Sequence, residues 1–174
     1  MKRSLLKNIN IWLLIFLLGS SFTACNIFTP LRTTNSTESV SKEDIFRDDI
    51  ISLASKYEGS KYKYAGKDPK GFDCSGFTYF VFKQRDIALS PSSRAQEKDG
   101  RSIPVKSVKP GDLVFFRRSP VGKVFHVALV VSNDREGLTV IHSTNRGVVV
   151  DNISNNSYWE PKISSARDVI SGNY

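Results

Sequence analysis

The sequence predicts a single α+β domain, in which helices come first and an antiparallel sheet follows. Apolar residues recur at helical spacing over residues 45–57, and a second apolar helix is predicted from about Cys74 to Gln84. After a turn at residues 109–112, the chain changes to runs of β-branched and aromatic residues, which is typical of strands. The connections between these runs are short, so neighbouring strands are expected to be antiparallel.

The individual elements follow in chain order. The first helix is expected to end near Gly59, and a loop carrying Tyr62 and Tyr64 comes next. Asp73 has the residue type of an N-cap for the second helix. The turn-rich stretch LSPSSRAQ, residues 89–96, leads to another short helix. Strands are then predicted at residues 113–116, 124–132, 138–143 and 147–151.

The first 24 residues have the features of an export signal. Lys2 and Arg3 precede the apolar run IWLLIFLL, residues 11–18. This run is too short to span a bilayer core, which needs about 20 apolar residues, so we predict a cleaved signal peptide. The following GSSFTAC resembles the lipobox of bacterial lipoproteins, in which the cysteine, here Cys25, is lipidated and becomes the new N-terminus. Phe22 stands where leucine is usual, and plain secretion with cleavage near Ala24 is the alternative.

Residues 25–43 are interpreted as a lipidated cysteine with a flexible tether, because they are rich in Thr, Ser and Asn and have no apolar period. Acyl chains on Cys25 would anchor the protein to a membrane that faces the cell wall. Asn26 is not the aspartate that signals inner-membrane retention, which favours the periplasmic face of an outer membrane if the source has one. The folded domain is expected to cover residues 44–174.

The formal net charge is +8, of which Lys2, Arg3 and Lys7 in the predicted signal peptide contribute three, leaving +5. A mildly basic domain suits an anionic surface such as a cell wall or lipid headgroups, although solubility alone explains the charge equally well. No groove-reading motif, zinc knuckle or aromatic stacking pattern is present, so nucleic acid is not a predicted partner.

The chain has two cysteines, Cys25 and Cys74. Two cysteines in an exported protein normally suggest a disulfide. If the Cys25 sulfur carries lipid, it cannot pair, and Cys74 is a lone thiol in an oxidising compartment. Such a thiol is a liability unless it has a chemical use, which directs attention to the stretch GFDCSGF, residues 71–77.

The chain has two histidines, His126 and His142, and both fall in predicted strands. A hairpin centred on Asp134 would place them directly opposite each other on one face of the sheet, whereas a slip of one residue would separate them. Two unrelated histidines, one exposed and one in the core, are the alternative.

The thiol favours a joint role for these residues. A helix N-terminus and a nearby imidazole both favour a thiolate, and Cys74 is predicted to lie at the first turn of its helix. His126 would act as the base and then as the acid, and His142 would orient its ring. Backbone N–H groups at the helix start would form part of an oxyanion hole.

These residues lie within a set of motifs that resembles a known family. The stretches KYKYAGKDPKGFDCSGF, KPGDLVFF, FHVALVV and IHSTNRGVVV, in this order, resemble the NlpC/p-sixty family of cell-wall cysteine peptidases, and the tail SYWEPKISSARDVI is similar to the end of that domain. The resemblance covers about residues 44–170. It implies a papain-like, NlpC-type α+β fold whose helices, including the nucleophile helix, pack on the sheet.

The resemblance also implies site residues. Cys74 matches the nucleophile, His126 the general base and His142 the third, orienting member. Tyr62 matches the tyrosine that holds the oxyanion or the substrate, although a core aromatic is the alternative. Asp73 and Ser75 match positions that contact the amine side of the substrate, although Asp73 could equally be only the helix cap.

The implied activity is hydrolysis of peptide bonds in peptidoglycan, by a monomer without a cofactor. The minimal form resembles the crosslink-cleaving endopeptidases, and the cleaved bond would be D-alanyl–diaminopimelate or γ-D-glutamyl–diaminopimelate. Three departures bear on substrate choice: Lys61-Tyr62 replaces Pro-Tyr, Leu89-Ser90-Pro91 replaces Leu-Pro-Arg, and Ala128 replaces a glycine.

Three other functions compete with this one. Cys74, His126 and His142 could be zinc ligands, but no short ligand pair is present and no metal is expected. An acyltransferase or amidase on a papain-like scaffold would use the same three residues. A non-catalytic wall-binding lipoprotein is disfavoured because all three residues are intact.

Overall fold

The computed structural model describes residues 40–172, which belong to one compact unit. The predicted signal peptide, Cys25 and most of the predicted tether lie outside these residues. The described residues contain three α-helices, a six-stranded antiparallel sheet and a two-stranded ribbon, so the α+β prediction is confirmed. The helices are α1 (Lys42–Ser55), α2 (Cys74–Lys83) and α3 (Ser93–Gln96). The strands are β1 (Lys67–Asp68), β2 (Gly71–Phe72), β3 (Arg101–Ile103), β4 (Leu113–Arg117), β5 (Val124–Asp134), β6 (Gly137–Thr144), β7 (Gly147–Asn152) and β8 (Ile163–Asp168).

The main sheet has the strand order β3-β8-β4-β5-β6-β7. The four predicted strands are β4 to β7, and they pair antiparallel in sequence order as expected. Strands β3 and β8 were not predicted, because their sequences RSI and ISSARD contain mostly polar and small residues. The short helix expected after residues 89–96 lies inside that stretch instead, as α3.

Both faces of the sheet are buried, which explains why the central strands read as nearly continuous apolar runs. Alternate residues of β4, β5 and β6 pack against α1 and α2, and the residues between them pack under the segment that precedes β8. The first set includes Leu113, Phe115, Val127, Leu129 and Ile141 with Phe77 and Val81 of α2. The second set includes Val114, Phe116, Ala128, Val130 and Val140 with Ile153 and Trp159.

The β5–β6 hairpin contains a β-bulge that the sequence did not reveal. Next to its turn Asp134 pairs with Gly137, but beyond the bulge at Val131 the register shifts and Leu129 pairs with Ile141. The predicted turn centre at Asp134, which would pair Leu129 with Thr139, was therefore wrong. The observed register differs from the predicted one by two residues, so each side chain still lies on the face of the sheet that was predicted for it.

A buried arginine fastens α1 to the sheet. Arg47 is 3% exposed, and its guanidinium donates to Glu43 at 2.8 Å, Asp112 at 2.8 Å, Asp168 at 3.0 Å and the carbonyl oxygen of Pro110 at 2.9 Å. A buried charge is tolerated only when it is paired and hydrogen-bonded in this way. The N-terminal helix is thus tied to the start of β4 and the end of β8.

We expect Arg47→Met to lower the free energy of unfolding by about 3–5 kcal/mol, because it leaves the buried carboxylates of Asp112 and Asp168 without their shared partner. Urea unfolding followed by circular dichroism measures the change. Arg135→Met, which removes an exposed arginine from the β5–β6 turn, is the control and should change little. Equal, small losses in both variants would contradict the bridging role of Arg47.

Candidate active site

Cys74 is the first residue of α2, and its position is fixed by the helix cap. Asp73 is the N-cap, and its Oδ1 accepts from the backbone N–H of Gly76 at 2.6 Å and from Ser75 Oγ at 3.1 Å. The predicted capping role of Asp73 is therefore confirmed. Contact of Asp73 and Ser75 with a substrate stays a prediction. Cys74 itself is a free, half-buried thiol.

The loop that carries Tyr62 lies directly against the start of α2. The backbone N–H of Asp73 donates to the carbonyl oxygen of Gly66 at 3.0 Å, and a Cβ atom at Gly76 would overlap that same oxygen. Glycine at position 76 is thus required for the close approach. Tyr62 is 45% exposed rather than buried in the core, so the core-aromatic alternative for Tyr62 was wrong.

The two histidines lie on one face of the sheet, as predicted, and their rings are in contact. His126 Nε2 lies 3.0 Å from His142 Nδ1, and both side chains are buried. They are not directly opposite as predicted: His126 pairs with Phe116 of β4, and continuing the β5–β6 register places it level with Thr144. The rings therefore make contact along the diagonal of the ladder.

A carboxylate continues this chain of hydrogen bonds. His142 Nε2 lies 3.0 Å from Oδ2 of Asp151 on β7, and the same oxygen forms an ion pair with Arg146. Sequence reasoning missed Asp151. The register of the β6–β7 hairpin pairs Asp151 with Val140, which makes Asp151 a diagonal neighbour of His142 on the same face. Hairpin register is thus the sequence signal that points to Asp151.

Aromatic side chains enclose both imidazoles. The Trp159 indole stacks on His126, with centroids 4.6 Å apart and an angle of 29°, and it contacts His142 at 5.0 Å. Phe116 closes another side of His126 at 5.5 Å. Sequence reasoning gave Trp159 no role, since it reaches the site from an irregular segment before β8.

This enclosure keeps the imidazoles neutral. Burial lowers the pKa of His126 well below its usual value, and neighbouring His142 lowers it further. Burial also lowers the pKa of His142, although the Asp151 carboxylate opposes the change. Both rings are therefore uncharged near neutral pH.

The Cys74 thiol is affected in the opposite direction. Burial raises its pKa to about 11, and the backbone N–H groups of Val127, Ser75 and Cys74 itself only partly offset this. Backbone N–H groups at the helix start lower the pKa of the thiol as expected, but desolvation outweighs them, so the thiol is protonated near neutral pH. The site therefore combines a neutral thiol with a neutral imidazole, and such a thiol can act as a nucleophile only if a base removes its proton.

One open cleft brings together three of the six predicted site residues, Tyr62, Cys74 and His126. It has a volume of about 780 Å³ and is lined by thirteen side chains that include Tyr62, Cys74, His126, Arg118 and Asp151. His142, Asp73 and Ser75 do not line it. In the part of the chain that the structure describes, no hydrogen bond uses His126 Nδ1, so this nitrogen is free to serve the cleft.

Within residues 40–172, no group of three or more His, Cys, Asp or Glu side chains is arranged to hold a metal ion. Over the same residues, no helix has both the length and the apolar character needed to cross a membrane.

Comparison with known proteins identifies the family. The model of the NlpC/P60 family matches residues 59–168, which include Tyr62, Cys74, His126, His142 and Asp151. The chain belongs to the NlpC/P60 family. The resemblance seen in the sequence motifs is therefore confirmed.

Two relatives show what kinds of protein the chain is similar to. This chain is 35% identical over 134 residues to a gamma-DL-glutamyl hydrolase of Bacillus subtilis, and the alignment covers 75% of this chain and 32% of that protein. It is 32% identical over 124 residues to the murein DD-endopeptidase MepS/murein LD-carboxypeptidase of Escherichia coli, covering 70% of this chain and 62% of that protein. The chain thus spans about a third of the first relative's length and under two thirds of the second's.

Solved structures share the fold of this NlpC/P60 domain. A family protein from Bacillus cereus superposes with a TM-score of 0.65 at 30% identity, covering 71% of this chain and 40% of that one. The NlpC/p60 domain of the peptidoglycan hydrolase SagA superposes with a TM-score of 0.59 at 33% identity, covering 70% of this chain and 97% of that one. The expected NlpC-type, papain-like fold is therefore confirmed.

The neutral thiol leads to a testable pH dependence. In residues 26–174 Cys74 is the sole thiol, so its alkylation by iodoacetamide can be followed directly. We expect the rate to rise about tenfold per pH unit between about pH 6.5 and pH 9, because only the thiolate reacts and its pKa lies well above this range. A rate that is already constant below about pH 7 would instead indicate a preformed thiolate–imidazolium pair.

Proposed function

We propose that the chain is a cysteine peptidase that hydrolyses peptide bonds in peptidoglycan stem peptides or their crosslinks. One observation carries this proposal: Cys74, at the start of α2, lines the same cleft as His126. The Nε2 atom of His126 is held by Nδ1 of His142. A nucleophile, a base and a group that orients the base are the parts that acyl transfer requires. The name of the Escherichia relative, a murein endopeptidase, supports the choice of substrate, and the name of the Bacillus relative supports hydrolysis of a glutamyl bond.

The reaction begins with both partners neutral. As the Cys74 sulfur attacks the scissile carbonyl carbon, its proton passes to Nδ1 of His126, and a tetrahedral intermediate forms. Backbone N–H groups at the start of α2 and the hydroxyl of Tyr62, which lines the same cleft, stabilise the oxyanion. The C–N bond then breaks, and His126 returns the proton to the leaving amine. Water, activated by the same imidazole, hydrolyses the thioester and restores the thiol.

The charges of the cleft favour an acidic substrate. The Arg118 guanidinium lies over the Phe125 ring at 4.6 Å, and within residues 40–172 it forms no ion pair. Phe125 stacks on Trp159, whose other contacts include the ring of His126, so Arg118 rests on the same group of aromatic rings as His126. Peptidoglycan stems carry free carboxylates, which an unpaired guanidinium binds well.

Digestion of purified peptidoglycan tests the proposal and identifies the bond. Residues 26–174 and their Cys74→Ala variant are incubated with it, and the released fragments are analysed by mass spectrometry. Conversion of crosslinked dimers to monomers by the intact thiol alone would indicate D-alanyl–diaminopimelate cleavage. New ends after D-glutamate would indicate the γ-D-glutamyl bond. If both proteins leave the wall and its soluble fragments uncut, the proposed function is wrong.

The role of Arg118 can be tested by removing its charge. We expect Arg118→Gln to raise KM for a soluble stem peptide with free carboxylates by about tenfold or more, because a charge-assisted hydrogen bond is worth about 1.5–3 kcal/mol. For a peptide with the same sequence and amidated carboxyl groups, Arg118→Gln should raise KM much less. Arg135→Gln makes the same charge change away from the cleft and is the control. An equal rise in KM on both peptides would exclude carboxylate recognition by Arg118.

A further inference from the structure

The chain of hydrogen bonds behind His126 ends at a group that can only accept. Hydrogen bonds from His142 and Arg146 lower the pKa of the Asp151 carboxyl, although its partial burial opposes them. Asp151 is therefore ionised near neutral pH, and a carboxylate has no proton to donate. The 3.0 Å contact between Asp151 Oδ2 and His142 Nε2 thus requires a proton on His142 Nε2.

This requirement passes along the chain from ring to ring. A neutral imidazole carries one proton, so His142 with its proton on Nε2 has an unprotonated Nδ1. The 3.0 Å contact with His126 then requires His126 Nε2 to donate. His126 is neutral as well, and its Nδ1 is consequently unprotonated. This is the only arrangement of protons in which two neutral rings and one carboxylate make both hydrogen bonds.

We propose that Asp151 is a positioning residue that selects the proton arrangement of the histidine pair, so that Nδ1 of His126 is left as a base for the cleft. This inference rests on the proposed function, and it adds a fourth residue to the three that the sequence indicated. Without the carboxylate, His142 can carry its proton on Nδ1. His126 Nε2 must then accept, which moves the His126 proton to Nδ1 and blocks the base.

Asp151 has a second consequence for the pair. When His126 takes the thiol proton, positive charge develops on the two rings, and a carboxylate at the end of the chain stabilises it. Arg146, which is paired with the same carboxylate, acts against that charge. The charged and titratable groups of the cleft around the pair are Tyr62, Cys74, Arg118, Arg146, Asp151 and Tyr158.

The proton arrangement can be observed directly, without an activity assay. The sequence has only two histidines, so residues 26–174 without an affinity tag, labelled with ¹⁵N in the imidazoles, give two ring systems in an NMR spectrum. We expect both rings to carry their proton on Nε2 near neutral pH. Asp151→Asn should populate the Nδ1–H form, because an amide can either accept or donate. A proton on Nδ1 of either ring in the unaltered protein would overturn the inference, whatever the fate of the proposed function.

Kinetics then test whether this arrangement matters. We expect Asp151→Asn to lower kcat on peptidoglycan fragments by about 10- to 100-fold, the loss that follows removal of the outer hydrogen-bond partner of a metal-bound histidine, while KM changes little. Asp48→Asn, which alters an exposed residue of α1, is the matched control and should leave the rate unchanged. A fall in kcat that parallels the fraction of unfolded protein would mean a structural role only.

The acid limb of the pH profile of kcat/KM distinguishes the effect of Asp151 from that of Arg146, its partner in the ion pair. Loss of the Asp151 charge makes protonation of the histidine pair harder, so the acid limb of kcat/KM should move to lower pH. Loss of the Arg146 charge in Arg146→Gln should move it to higher pH, because the cation disfavours protonation of His142. Acid limbs that do not move in these opposite directions would contradict an electrostatic link between Asp151 and the rings.

Discussion

The β-bulge at Val131 is the constraint on which the candidate site depends. Next to the turn, Asp134 pairs with Gly137, and a regular ladder in that register would turn His126 and His142 to opposite faces of the sheet. The extra residue restores them to one face, where their nitrogens meet at 3.0 Å. Bulges are known to redirect side chains next to active sites. A feature of the backbone thus decides whether the two imidazoles can meet.

Burial acts in a coherent way on the Cys74 thiol and the His126 imidazole. It raises the pKa of the thiol and lowers that of the imidazole, so both changes keep the proton on sulfur. A protonated thiol is also a poor target for oxidants, since the thiolate is the reactive form. For an exported protein, which the N-terminal sequence predicts, the same desolvation that delays proton transfer would preserve the thiol between turnovers.

Local sequence patterns predicted the elements that carry their own apolar signal, and they failed where distant contacts decide. Helices α1 and α2 and strands β4 to β7 have regular apolar spacing, and Asp73 has the residue type of a cap. Strand β8 is mostly polar, and its pairing with β3 and β4 has no local signature. Asp151 and Trp159 join the site only through the register of the β6–β7 hairpin and the path of an irregular segment. The state of the Cys74 thiol depends on the depth of burial, which sequence alone does not measure.

The contact between Glu43 and Ser171 brings the first and last parts of the described domain together. The Ser171 hydroxyl donates to Glu43 Oε1 at 3.1 Å, and Arg47 reaches the same hydroxyl at 3.3 Å, so the first turn of α1 and the segment after β8 lie side by side. A domain whose two ends adjoin can be joined to other modules, or inserted between them, without disturbing its core. The segment that matches this chain makes up 32% of its Bacillus subtilis relative, and neighbouring ends allow a folded domain of this kind to be joined to further segments.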